Sequence, residues 1–263
     1  MKIKQLIVIV LFVGLSVALS LAKEPARDIS AQQTDEIETE DDSVVATVEE
    51  LPAVTISDYD AIMQDVERES GIDWRLLSAI AYAESRFNDD LVSSRGAVGV
   101  MQVMPAIGNS YGMSDEELSL PENNIRAAAY LLRDIESAIK LPEGLPESDR
   151  LGILLASYNS GMGHVSDARR LAVELGGSKN SWGDVSDCLK LKADPEYYER
   201  SVVKYGRFNS GSHTSAYVAN VMKLYDKYCR MTEHRNRAGA TPQDCASMPP
   251  LRSERAAWSR TGS

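Results

Sequence analysis

Glu84 stands at the end of a run, LLSAIAYAES, whose other residues read as the buried face of a helix. Leu77, Ile80, Ala81 and Glu84 follow the spacing i, i+3, i+4, i+7, so the glutamate projects from the face that the apolar residues bury. A carboxylate is among the side chains least often buried without a partner. Held there, it has two reasons to keep its proton: partial desolvation, and the negative end of the helix dipole in the last turn. A pKa raised from about 4.3 toward about 6 leaves a proton available near neutral pH, which is what a general acid needs. The competing arrangement is a frayed helix end, with Glu84 turned to water beside Arg86 or Arg95.

Two more segments offer binding chemistry. Residues 93–105, SSRGAVGVMQVMP, form an apolar stretch punctuated by glycines and closed by proline. Glycine lets backbone approach a ligand closely, and Gln102 presents both a donor and an acceptor suited to sugar amides and hydroxyls. As a plain core loop, the same stretch would use its methionines as filler. Residues 156–165, ASYNSGMGHV, end one helix at Tyr158 and Asn159 and turn at Gly161 and Gly163; alone, this reads as a helix-ending turn.

The elements that must position these residues are helical. Ser57 with Asp60 resembles a capping box, followed by the stripe Ile62, Met63, Val66 and a break at Gly71. Asp73 caps the helix that carries Glu84. Pro121 opens a helix with Ile125, Ala128, Ala129, Leu132, Ile135 and Ile139 at helical spacing, and further helices are expected over 148–158 and 165–175. Asp194 and Pro195 supply a cap and a first-turn proline for EYYERSVVKYG. A last helix carries Tyr217, Val218, Val221, Met222, Leu224, Tyr225 and Tyr228. No segment alternates with period two for long, so the class is all-α, with at most a minor strand or two.

Charge is unevenly spread over the 263 residues. The formal net charge is -11, of which residues 23–55 carry -8 and residues 56–230 carry -7, the leader and tail being basic. Residues 1–22, with Lys2, Lys4, an apolar run and Ser20-Leu21-Ala22, read as a secretory signal peptide, and otherwise as an uncleaved membrane anchor. No cysteine follows the run, so a lipoprotein anchor is not expected. Residues 23–55 hold too little apolar surface to offset their ordering entropy and read as an acidic disordered tether. Residues 56–230 form the folded domain and 231–263 a flexible tail. The acidic middle has no basic stripe, which argues against nucleic acid as a partner. Cys188, Cys229 and Cys245 allow one disulfide and leave one thiol, with no spacing that selects the pair. His164, His213 and His234 lack ligand-like spacing, so neither a metal site nor a cofactor is expected.

Taken in order, Glu84-Ser85, GAVGVMQVMP (96–105), ASYNSG (156–161) and SAYV (215–218) resemble the SLT-type lytic transglycosylases of the lysozyme-like superfamily, over about residues 57–230. Within that family the resemblance is closest to the catalytic domain of the membrane-bound F type, through LPESDRLGILLASYNSGMGHVSDAR and the later SWGDV. The F type also has an N-terminal solute-binding-like domain, in whose place only the acidic tether is expected here. The resemblance implies an all-α, lysozyme-like fold, an exported and periplasmic enzyme, and murein glycan strands as its partner. It makes Glu84 the sole catalytic acid and base, places Ser93 near the reacting N-acetyl group, and sets Met101, Gln102, Tyr158, Asn159 and Tyr217 along the saccharide cleft, with Gly99 as a further contact.

Glycosidases usually employ two carboxylates, but Asp89 and Asp90 follow Glu84 too closely, in too polar a turn, to serve as the second. One carboxylate suffices if Glu84 protonates the bond between MurNAc and GlcNAc and then takes the proton of the MurNAc 6-hydroxyl, closing a 1,6-anhydro ring. The neighbouring possibilities are a lysozyme-like hydrolase and a non-catalytic murein-binding module.

Overall fold

The computed structural model describes residues 54–238; the leader, most of the acidic tether, Cys245 and the end of the tail lie outside them. Among the described residues ten helices follow one another: α1 (Asp60–Ser70), α2 (Trp74–Ser85), α3 (Pro105–Ser110), α4 (Asp115–Ser119), α5 (Pro121–Ile139), α6 (Glu147–Ser160), α7 (Met162–Glu174), α8 (Trp182–Leu191), α9 (Pro195–Tyr198) and α10 (Gly211–Ala238). Extended pairing among the described residues is limited to isolated bridges of Val92 with Val98 and of Val98 with Val103. The all-α expectation therefore holds. No helix among the described residues is long and apolar enough to cross a membrane.

Local signals set several boundaries. Gly71 ends α1 in the left-handed region at φ 76°, its amide donating to the Glu67 carbonyl at 2.7 Å. Asp73 starts α2 by accepting from the Arg75 amide at 2.8 Å, and it also accepts the Tyr225 hydroxyl of α10 at 3.0 Å. The cap therefore doubles as a clasp between distant helices. Ser57 and Asp60 do interact, but Asp60 gathers the Ile56 and Ser57 amides ahead of α1, and Tyr59 holds the N-cap position without a side-chain bond.

α6 lies at the centre. From Gly152 to Ser160 every residue is buried, including four polar ones. Ser157 and Ser160 satisfy their hydroxyls on the carbonyls of Ile153 and Ala156, each at 2.7 Å. α5, α7, α8 and α10 pack against this helix, α10 lies also along α2, and α1 lies across α2 and α5.

Three features differ from the sequence expectations. The short helices α3 and α4 and the longer α8 occur where none is expected; α4 carries a capping box between Ser114 and Glu117, and α8 has Ser181 as its cap. α10 continues to Ala238, past residue 230. The helix expected over EYYERSVVKYG stops at Tyr198. Asp167 of α7 accepts the amides of both Lys204 and Tyr205 at 2.8 Å, and the Val202 carbonyl is taken by Arg170 at 2.7 Å. A buried carboxylate thus claims backbone groups that a longer α9 would need for its own ladder.

Candidate active site

Glu84 lies in the last turn of α2, which closes with Arg86 in the left-handed region at φ 53°. The Arg86 guanidinium reaches the Tyr82 hydroxyl at 2.8 Å rather than the glutamate, so the frayed, arginine-paired arrangement is not the one adopted. Glu84 Oε1 is buried and has no hydrogen-bond partner, and the same holds for the Tyr217 hydroxyl. Burial pushes the Glu84 carboxyl up from 4.5 to about 7, while the nearby Tyr217 hydroxyl holds it down in part. The two groups interact electrostatically without meeting full hydrogen-bond geometry, which leaves both free to engage a third group. Tyr158 and Tyr217 keep their phenolic protons well above the usual range, through burial first and the Glu84 charge second.

The loop after α2 is held from several sides. Ser85 Oγ donates to the Val100 carbonyl at 2.8 Å, tying the end of α2 to the loop. Val98 and Val103 exchange backbone bonds at 3.0 and 3.1 Å, and the Gly99 amide reaches the Leu91 carbonyl at 2.9 Å. Val100, Met101 and Val103 are buried and line the inner side with hydrocarbon. Tyr158 of α6 donates its hydroxyl to the Met101 carbonyl at 2.8 Å, so α6 and the loop meet directly beside Glu84.

Asn124 of α5, which the sequence reading did not single out, is the hub of this loop. It is fully buried; its Oδ1 accepts the Met101 amide at 2.8 Å, and its Nδ2 donates to the carbonyls of Val98 and Leu118 at 3.0 and 3.1 Å. Gly99 packs against it at φ 75°, where a Cβ would come within 2.8 Å of the Asn124 amide group. That contact, together with the positive φ, requires glycine there. An Asn in the first turn of a helix, next to a second at Asn123, gives no local sign of this role; its trace is a polar residue on the face that carries Ile125, Ala128 and Leu132.

The remaining predicted residues fall as follows. Gln102, at φ 49° and buried, donates its side-chain amide to the Leu91 and Gly99 carbonyls, both at 2.9 Å, and so braces the loop. Ser93 Oγ accepts the Ala97 amide at 2.9 Å at the base of the loop. Asn159 accepts the Thr214 hydroxyl at 3.0 Å, which couples α6 to α10 one turn before Tyr217. Glu84, Met101, Tyr158 and Tyr217 are thus gathered in one cluster, Gly99 and Gln102 shape the loop beside it, Asn159 braces α6 against α10, and Ser93 sits at the loop's edge.

An acid with a pKa near neutrality, unpartnered and framed by hydrocarbon and two tyrosines, can give and take a proton at a bound ligand. Comparison with known proteins places the chain by similarity. Residues 61–180 match the transglycosylase SLT domain. Proteins named membrane-bound lytic murein transglycosylase F are similar over the same region: that of Marinobacter nauticus is 37% identical over 175 residues, 66% of this chain and 34% of the relative. That of Shewanella loihica is 39% identical over 161 residues, 61% and 32% of the two chains. That of Vibrio parahaemolyticus is 33% identical over 182 residues, 69% and 33%. The chain spans about one third of the length of these relatives. Among solved structures, the lytic transglycosylase Slt of Pseudomonas aeruginosa matches 67% of this chain and 24% of its own, at 21% identity and a TM-score of 0.48. Through residues 61–180 the chain matches the transglycosylase SLT domain, and over about two thirds of its own length it is similar to proteins named lytic murein transglycosylases.

Proposed function

We propose that the protein cleaves the β-1,4 bond between MurNAc and GlcNAc in murein and leaves 1,6-anhydro-MurNAc ends. The observation that carries this reading is the Glu84 carboxyl, whose buried Oε1 has no hydrogen-bond partner and whose pKa is raised to about 7. A protonated Glu84 donates to the glycosidic oxygen; the resulting carboxylate then accepts the proton of the MurNAc 6-hydroxyl as that oxygen closes on C1. Tyr217, whose hydroxyl is also unpartnered, is placed to support the carboxylate in its charged phase. Intramolecular capture needs water kept away, and the buried Val100, Met101 and Val103 support that exclusion. Residues 56–230 are the catalytic domain in this reading, with 1–22 as an export leader to the periplasm and 23–55 as the tether.

Digestion of purified murein sacculi by residues 23–263, followed by mass spectrometry, tests it. Anhydro-MurNAc ends from the wild type, falling by about 10²–10⁴-fold in Glu84→Gln, are the expected result. Reducing MurNAc ends would make the protein a hydrolase. Sacculus binding without any product would make it a binding module.

A further inference from the structure

Between the C-terminal end of α5, the outer side of α7 and the turn ahead of α10 lie two adjoining cavities of about 820 and 600 Å³, sharing Lys140, Ser166, Arg169 and Arg170 among their walls. Neither includes Glu84 or any residue of the loop 91–104. Their charge runs against that of the domain. Residues 56–230 carry a net -7, whereas these walls hold Lys140, Arg169, Arg170, Lys179 and Lys204 against only Asp134 and Glu174.

Those two carboxylates are already engaged. Asp134 accepts the Tyr111 hydroxyl at 2.8 Å, and Glu174 pairs with Arg200 at 3.2 Å. Arg170 is matched by the buried Asp167. Lys140, Arg169, Lys179 and Lys204 have no carboxylate at ion-pair distance among the described residues. Arg169 is the telling case. It is half-buried and held rigid by three neutral acceptors, the carbonyls of Lys179 and Ile139 and the Asn180 amide oxygen, at 2.9, 3.2 and 3.0 Å. A guanidinium has five donors and keeps its charge, so N–H groups and a full positive charge remain for a ligand. Low-dielectric walls focus the field of such a charge into the cavity.

The surplus of positive charge, together with the murein reading, suggests which anion belongs there. Met162 and Gly163 in the wall follow Asn159 by only three and four residues, so the nearer one lies within about 11 Å of it. Murein carries short peptides with free carboxylates on alternate sugars. We infer that these cavities form a carboxylate-binding subsite for the acidic peptide stem of a murein strand whose glycan lies at Glu84. The inference rests on the murein reading of the Glu84 site, and the two are separable by experiment.

The test uses the full chain with Glu84→Gln, so that binding is measured without turnover. A synthetic murein stem tetrapeptide is titrated by calorimetry against this protein, against the same protein with the exposed Lys140→Glu and Lys204→Glu changes, and against one with Lys190→Glu, an exposed control on α8 outside the cavities. Circular dichroism verifies that each is folded. The expected result is binding of the acidic peptide, weakened at least tenfold by Lys140→Glu with Lys204→Glu, unchanged by Lys190→Glu, and weakened equally when the peptide carboxylates are amidated. Binding within twofold in all variants overturns the subsite. So does displacement of the peptide by an equal concentration of inorganic phosphate, which marks a site for any small anion. Failure of the catalytic reading shows separately, as sacculi left intact by the wild type while peptide binding persists.

Discussion

At the scale of single residues, Glu84 is governed by two opposed influences: loss of water raises its pKa, and the Tyr217 hydroxyl lowers it. The sign of the pH dependence follows. In the proposed mechanism the first step needs the carboxyl protonated, so kcat/KM is expected to fall as pH rises through about 7. Replacing Tyr217 with Phe removes the influence that favours the charged form, so the falling limb moves to higher pH. A pH profile of sacculus solubilisation for wild type and Tyr217→Phe measures this; a limb that stays in place, or moves to lower pH, contradicts the coupling. Tyr158 differs because its hydroxyl is already given to the Met101 carbonyl, which makes it a support for the loop as much as a neighbour of the acid.

At the scale of elements, the site depends on how α5 grips a loop it does not adjoin in sequence. Removing the Asn124 amide strands the buried Met101 amide and the carbonyls of Val98 and Leu118. Each unsatisfied group costs about 1–3 kcal/mol, less whatever water can restore, so Asn124→Ala is expected to destabilise the fold by about 3 kcal/mol. Because Met101 also carries the contact to Tyr158, kcat should fall in the molecules that remain folded. Urea denaturation beside initial rates checks both; full stability, or lost stability with unchanged kcat, would remove Asn124 from the positioning of the site. The run SSRGAVGVMQVMP suggests a glycan-facing loop with glycines for close approach to a ligand; of the two, Gly96 faces open space, and at Gly99 the approaching group is the protein's own Asn124.

At the scale of the whole molecule, Asp167 and Lys192, both fully buried, pair at 2.8 Å in the interior. Lys192 also meets His164 Nδ1 at 3.1 Å, and Asp167 holds the Lys204 and Tyr205 amides. The pair joins α7, the end of α8 and the turn that leads to α10, and so helps place the helix that brings Thr214 and Tyr217 to the site. Breaking one side leaves an unpaired buried charge, and Asp167→Ala is expected to cost about 3–5 kcal/mol. Chemical denaturation gives the magnitude, and hydrogen exchange should show faster opening at Lys204 and Tyr205. A loss below about 1 kcal/mol would mean that packing alone holds this turn.

Much of what surrounds Glu84 was legible in the sequence because its signals are local. The period of α2 aims Glu84 inward, Asp73 caps that helix through a residue two positions away, and the stripes of α5 and α10 lie on one face each. These patterns depend on residues within a turn or two of each other, where backbone geometry allows few outcomes. What the tertiary structure decided involves partners far apart along the chain: Asn124 with Met101, Thr214 with Asn159, and Asp167 with the amides that cut α9 short. No spacing rule reaches across 23, 55 or 37 residues. Only the packing of helices chooses which buried polar group satisfies which, because each must find a partner in the assembled core.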